Sequence, residues 1–100
     1  MADEPTLQEQ VITRAEELAK DGKTGLQEAY DLTQELIKGH EEYLANGGEN
    51  VDFNYWLGMQ RQNGSETEYG KKLSAIEGLA NTSIDNVDFN IFYKYFKSLK

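Results

Sequence analysis

Carboxylates are the most abundant side chains in this sequence that could do chemistry. Four of them fall within a narrow arc of one predicted helix, roughly opposite its apolar face: Glu28, Asp31, Glu35 and Glu42. Lys38 is the only basic residue in that arc. Like charges at this spacing destabilise an isolated helix by about 0.2–0.5 kcal/mol per pair. Two interpretations remain open, a solvated face and a patch that binds a basic partner.

The single histidine, His40, falls in the apolar arc of the same predicted helix. No Ser, Cys or Asp stands at helical spacing beside it, so a catalytic relay has no second member. We expect a partly buried imidazole that hydrogen-bonds a tyrosine or a backbone carbonyl. The alternative is a pH-sensitive or catalytic imidazole in a pocket. The sequence therefore predicts a non-enzymatic protein with no catalytic residue.

Metal and cofactor sites find little support in the sequence. One histidine and no cysteine exclude the usual zinc ligand sets. The segment that begins at Asp21 has Lys23 at the third ligand position of a calcium loop and lacks the glycine at the sixth. The glycines of Asn46-Gly47-Gly48-Glu49 have no lysine to hold a phosphate. We expect neither a metal nor a cofactor.

The net charge of −8 is concentrated in one half of the chain. Residues 1–50 carry twelve acidic and four basic residues, whereas residues 51–100 carry six of each. Such a field repels nucleic acid and anionic lipid and attracts basic protein surfaces, although acidic surfaces also simply aid solubility. No apolar run approaches the ~20 residues that span a bilayer, and the acidic N-terminus does not resemble a secretory signal. We expect a cytoplasmic protein that binds neither membrane nor nucleic acid directly.

Nine of the eleven aromatic residues lie in the second half of the chain. Four belong to the residue types that anchor protein interfaces: Tyr55, Trp56, Tyr93 and Tyr95. In a small helical bundle the same residues also serve as core, so both roles remain open.

Helical periodicity and cap residues predict an all-α fold. Three segments match the capping box, in which a hydroxyl and a side chain three residues later satisfy helix amides: Thr6 to Glu9, Thr24 to Gln27 and Ser65 to Glu68. The predicted helices run over about 6–21, 25–45, 52–63, 66–80 and 86–99. No segment alternates with period two. We therefore expect a single domain over residues 1–100, a compact bundle of four to five helices with short loops.

The pentapeptide Asn-Val-Asp-Phe-Asn occurs twice, at 50–54 and 86–90. It predicts two equivalent helix starts, with Asn or Asp as the cap and Phe in the core. A loosely similar pattern that ends in a glycine precedes each copy, at Gly39 and at Gly78. Separately, Gly70 and Gly78 within one predicted helix indicate close helix contact. Two explanations remain open, a duplicated helical hairpin and convergence on a favourable cap.

Together these patterns predict a small acidic protein-binding module. Its concrete form is an inhibitor or regulator that docks a nucleic-acid-handling protein with a basic surface, its carboxylate arc imitating spaced phosphates. The exposed aromatic residues would anchor the contact. The alternative is a structural protein that self-associates, for example as a homodimer, through its aromatic C-terminal helix.

Overall fold

The computed structural model describes residues 4–99, apart from the side chain of Ser65. Within that range the chain forms no strand and confirms the all-α fold. A single 3₁₀ turn, Gly64–Glu66, joins the third and fourth helices. The five α-helices are α1 (Leu7–Lys20), α2 (Gly25–Ala45), α3 (Phe53–Asn63), α4 (Glu68–Thr82) and α5 (Asn86–Ser98).

Helix α2 occupies the centre of the bundle and packs on each of the other four helices. Helices α1 and α5 pack on each other along one side of it, and α3 and α4 do so along the other. The Cα atoms span 40 × 37 × 18 Å, so the body is about two helix layers thick. The longest helix therefore fills the central position.

The core is built around rings that close on Gly39 of α2. The rings of Phe53 and Trp56 stack with their centroids 6.2 Å apart, and the Tyr69 ring meets Trp56 edge-on at 5.3 Å. A methyl group added at Gly39 would lie 2.6 Å from the Tyr69 ring and 2.9 Å from that of Trp56. The absence of a side chain at Gly39 therefore lets α3 and α4 close on the central helix.

The three expected capping boxes have different outcomes. Thr6 forms a complete box with Glu9 at the start of α1, as predicted. Thr24 precedes α2, but its ψ of 3° is not extended, and its hydroxyl makes no capping hydrogen bond. Thr67 is the residue that caps α4, accepting from the amide of Gly70. The fourth helix thus begins after Thr67, and the hydroxyl of Ser65 lies outside the described side chains.

The two pentapeptide copies are not equivalent helix starts, which corrects the expectation from the repeat. In the first copy Asp52 precedes α3, and its carboxylate accepts from the amide of Tyr55 as an N-cap. The second copy lies wholly inside α5, whose cap position is Asp85 and carries no side-chain capping bond. One sequence therefore adopts two positions relative to a helix end, and its aspartates acquire different roles.

Asp88, the aspartate of the second copy, joins α5 to α1. Its side chain is only 4% exposed, and its carboxylate accepts from Arg14 through Nε at 2.6 Å and Nη2 at 3.4 Å. The guanidinium also pairs with Glu17 on its own helix. A bidentate pair of this kind is among the strong hydrogen bonds, and here its two partners are 74 residues apart in the chain.

The same substitution at the two aspartates should have different effects. We expect Asp88→Asn to lower the free energy of unfolding by about 1.5–3 kcal/mol, because Arg14 loses its charged acceptor. Asp52→Asn is the matched control, since Asn caps a helix about as well as Asp, and its effect should be only a few tenths of a kcal/mol, roughly. Urea denaturation followed by circular dichroism measures both. Equal losses would contradict the distinct roles assigned to the two copies.

The two glycines that follow a similar sequence pattern also differ in their surroundings. Gly39 is buried against rings, whereas Gly78 is exposed, and a methyl group there would meet nothing within 4 Å. The expected close contact at Gly78 is therefore absent. Gly70 does have one, with Gly64 of the preceding 3₁₀ turn and not with another helix.

Alanine at these two positions should change stability in opposite directions. Gly78→Ala should raise the free energy of unfolding by about 0.5–1 kcal/mol, because alanine is the better helix former at an open site. Gly39→Ala gains the same propensity but forces Tyr69 and Trp56 apart, so we expect a net loss of about 1–2 kcal/mol. Thermal and urea unfolding measure the two changes. A stabilised Gly39→Ala variant would show that the ring contacts at this position are dispensable.

Candidate docking surface

The four carboxylates singled out from the sequence form an exposed row, here termed the acidic stripe: Glu28, Asp31, Glu35 and Glu42. At a rise of 1.5 Å per residue, the row extends over roughly 21 Å. The row lies on the outer side of α2. This helix is the most constrained element of the fold, because it packs on all four other helices. The helical arc predicted for these residues therefore corresponds to a surface facing solvent.

Two members of the acidic stripe interact within α2. The Thr24 hydroxyl donates to Glu28 at 3.3 Å, and the Gln27 amide donates to Asp31 at 3.0 Å. Both are exposed contacts between neighbouring turns, and contacts of this kind contribute little to stability. These two carboxylates remain largely hydrated, and basic side chains of a partner can replace the water around them.

The other two members of the stripe receive donors from α4. Lys72 Nζ lies 3.7 Å from Glu35 and 3.2 Å from Glu68, and the Tyr69 hydroxyl donates to Glu42 at 3.4 Å. Burial and the nearby Glu42 carboxylate raise the pKa of Tyr69. The hydrogen bond that Lys72 donates to Glu68 raises the pKa of Lys72. Near neutral pH both groups keep their protons. They therefore stay donors that border one side of the stripe.

Acidic residues elsewhere on the molecule also face solvent. Every Asp and Glu among residues 4–99 is exposed except Asp88. An exposed pair, Arg61 with Glu77 at 3.3 Å, joins α3 to α4. What distinguishes the stripe is its alignment along one rigid helix, since exposure alone is shared by nearly all the carboxylates.

The four aromatic candidates separate into two exposed and two buried residues. Tyr55 of α3 is 62% exposed and Tyr93 of α5 is 44% exposed. Trp56 is 2% exposed, and its indole packs against His40 and Tyr69. The assignment of Trp56 as a surface anchor is therefore corrected, because its ring fills the core.

Tyr95 requires the same correction. It is 4% exposed, its ring lies 5.8 Å from that of Tyr30, and its hydroxyl accepts from the Gln34 amide at 2.8 Å. Burial raises the pKa of this tyrosine. Tyr95 thus holds α5 against α2 and presents almost no surface to a partner.

His40 has the environment expected of a structural histidine. It is buried, its Nε2 lies 2.8 Å from the carbonyl oxygen of Val51, and the rings of Phe53 and Trp56 stand 5.8 Å away. The imidazole borders a depression of about 280 Å³, and Glu41 is the one carboxylate among the described residues that line it. The sequence predicted a hydrogen bond with a tyrosine or a backbone carbonyl, and the partner is the carbonyl of Val51.

Tyr69 and Lys72 are the surface residues that the sequence analysis missed. Their spacing of three on α4 shows that they share a face, but not that this face meets the acidic stripe. That relation depends on the crossing of α2 and α4 at Gly39. Among residues 4–99 no cluster of three His, Asp or Glu side chains is arranged to hold a metal ion.

Comparisons of the chain with protein-family models, curated protein sequences and solved structures find no match. None of the helices in residues 4–99 combines the length and the hydropathy needed to cross a membrane.

Proposed function

We propose that this chain is a small acidic protein-binding module that docks the basic surface of a protein partner. The observation that carries the proposal is the acidic stripe, four exposed carboxylates in a row on the helix that all the others support. A row of charge on a packed helix loses little backbone entropy on binding, and a field of one sign accelerates association with its opposite. The two exposed tyrosines, Tyr55 and Tyr93, supply anchors outside the stripe.

The finer form of the proposal is an inhibitor or regulator of a nucleic-acid-handling protein in the cytoplasm. Four charges over roughly 21 Å place one carboxylate about every 7 Å. A nucleic-acid strand carries a charge about every 3.4 Å, so the stripe has roughly half that linear density. It would therefore occupy part of a groove lined by Lys and Arg, competing with nucleic acid and relying on the tyrosines for additional affinity.

Two charge variants with the same net charge test this proposal. The stripe variant carries Glu28→Gln, Asp31→Asn, Glu35→Gln and Glu42→Gln. The control variant carries Glu→Gln changes at four other exposed positions, residues 16, 41, 49 and 66. Each set raises the formal net charge of −8 by four. We expect basic proteins captured from the native cell by the unmodified chain to be lost with the stripe variant and retained by the control.

The salt dependence of the same interaction provides an independent measure. With a purified captured protein, the Kd should weaken about tenfold or more between 50 and 300 mM NaCl, because screening weakens exposed charge pairs. Nucleic acid should displace the chain from that protein. Binding that is indifferent to salt, or equal losses in the two variants, would show that the stripe is not the contact surface.

Self-association through α5 is a second candidate function, favoured by two exposed apolar residues on that helix. Val87 is 74% exposed and Tyr93 is 44% exposed, with Lys97 Nζ lying 5.4 Å from the centre of the Tyr93 ring. A homodimer through this face should persist at high salt. In sedimentation velocity between about 5 and 500 µM, Tyr93→Glu should then abolish a dimer that the stripe variant retains. A monomer throughout that range would remove this candidate.

A further inference from the structure

The last carboxylate of the acidic stripe, Glu42, also borders a depression of about 250 Å³ between α2, α3 and α4. Three aromatic side chains line the same depression, and we call them the aromatic cage: Tyr43, Trp56 and Tyr69. Trp56 is buried and the two tyrosines are half-buried, so the indole forms the base of the cage. A carboxylate and three rings around one small space attract an organic cation, because the face of an aromatic ring carries negative partial charge.

The rings of the aromatic cage are held in place by contacts within the fold. The Tyr69 ring meets the Trp56 ring edge-on with the centroids 5.3 Å apart, and both rings close over Gly39. The Tyr43 ring lies over Gly48, where an added methyl group would stand 2.5 Å from it. The rings are therefore positioned before a ligand arrives, and binding costs little side-chain entropy.

The charge at the aromatic cage favours a cationic ligand. Among the described residues that line the depression, Glu42 is the one charged side chain, and no lysine or arginine is present. Glu42 accepts a hydrogen bond from Tyr69 at 3.4 Å, and within residues 4–99 it takes part in no ion pair. Lys72 of α4 pairs with Glu35 and Glu68 instead. The Glu42 carboxylate can thus pair with a cation that comes from another molecule.

Hydrogen-bond acceptors distinguish among the possible cations. Besides Glu42, the side-chain amides of Asn46 and Gln60 line the depression, and each amide has a carbonyl oxygen. An arginine guanidinium presents five N–H donors in one plane and stacks on aromatic rings, whereas a lysine ammonium is compact and more strongly hydrated. A quaternary ammonium has no donor for these acceptors. A cavity of about 150 Å³ can hold a benzene ring, so one of about 250 Å³ has room for a guanidinium and the methylene groups that carry it.

We propose that the aromatic cage binds one arginine side chain of the basic partner. The guanidinium packs against the rings and donates to Glu42, while the remainder of the acidic stripe faces further cations of the same partner. This inference rests on the docking function proposed above, and it assigns a specific residue type to one end of the stripe.

Two ligands of nearly the same shape test the identity of the occupant. Nα-acetyl-L-argininamide carries a guanidinium, and Nα-acetyl-L-citrullinamide carries a neutral urea group in its place. In ¹⁵N-resolved NMR titrations at low salt we expect the arginine probe to bind with a Kd of about 5 mM or below, with shifts concentrated at Gly39, Asn46 and the indole N–H of Trp56. The citrulline probe should bind about tenfold more weakly, because it forms neither an ion pair nor a cation–π contact. Nα-acetyl-L-lysinamide should bind about threefold more weakly than the arginine probe.

Matched pairs of variants locate the site. Glu42→Gln should weaken binding of the arginine probe about fivefold, whereas Glu41→Gln, the same change at the adjacent exposed position, should leave the Kd unchanged. Tyr43→Leu keeps an apolar side chain but removes a ring, and it should weaken binding about threefold. Tyr55→Leu, at an exposed tyrosine outside the cage, is its control. If Tyr43→Leu does not fold, the two glutamate variants carry the test.

A variant of the distant part of the stripe separates this inference from the docking function. Glu28→Gln combined with Asp31→Asn should reduce capture of basic proteins but change the Kd of the arginine probe by less than about twofold, because screening isolates exposed charges at this distance. If basic proteins bind through the stripe while the probe gives no saturable shifts up to about 50 mM, the arginine site is refuted and the docking function stands. If the probe binds the cage of a chain that captures no basic protein, the docking function fails instead.

Three further results would overturn the arginine site. They are equal affinity for the arginine and citrulline probes, equal affinity for the arginine and lysine probes, and unchanged affinity in a folded Glu42→Gln variant.

Discussion

The contact between α2 and α4 at Gly39 is the constraint on which the rest of the structure depends. With only hydrogen on its α-carbon, Gly39 admits the rings of Tyr69 and Trp56 to a distance that a methyl group would deny them. The same approach brings the Tyr69 hydroxyl to Glu42 and Lys72 to Glu35. The packing of the interior and the hydrogen bonds along the acidic stripe thus have one geometric origin. The stripe is rigid because the helix carrying it cannot rotate without separating these rings.

The ion pair between Arg14 and Asp88 has the corresponding role on the other side of α2. It ties α5 to α1 through a nearly buried carboxylate, and Tyr95 adds a hydrogen bond to α2. Helix α5 is attached to α1 and α2, whereas α4 is held by α2 and α3. The depression of about 300 Å³ between α4 and α5 is the space left between these two attachments. Its floor therefore belongs to the core of the bundle, although its mouth opens to solvent.

Local signals in the sequence were sufficient to predict the helices and the solvent-facing row of carboxylates on α2. Helical spacing predicted the arc of Glu28, Asp31, Glu35 and Glu42, and the Thr6 cap formed as expected. The role of a residue in the tertiary structure could not be predicted from such local signals. The repeat could not reveal that Asp52 caps a helix while Asp88 pairs with a distant arginine. Nor could residue type separate the buried Trp56 and Tyr95 from the exposed Tyr55 and Tyr93, because that distinction depends on which helices cross.

The thin shape of the body has a consequence for how it opens. The pair α1 and α5 and the pair α3 and α4 each pack within themselves and against α2, and they meet mainly through it. We therefore expect each pair to open more easily than α2, in the manner of cooperative units within one fold. The amide protons of α2 should then be the last to exchange with solvent. We thus expect the helix that carries the acidic stripe to be the last of the five to lose its order.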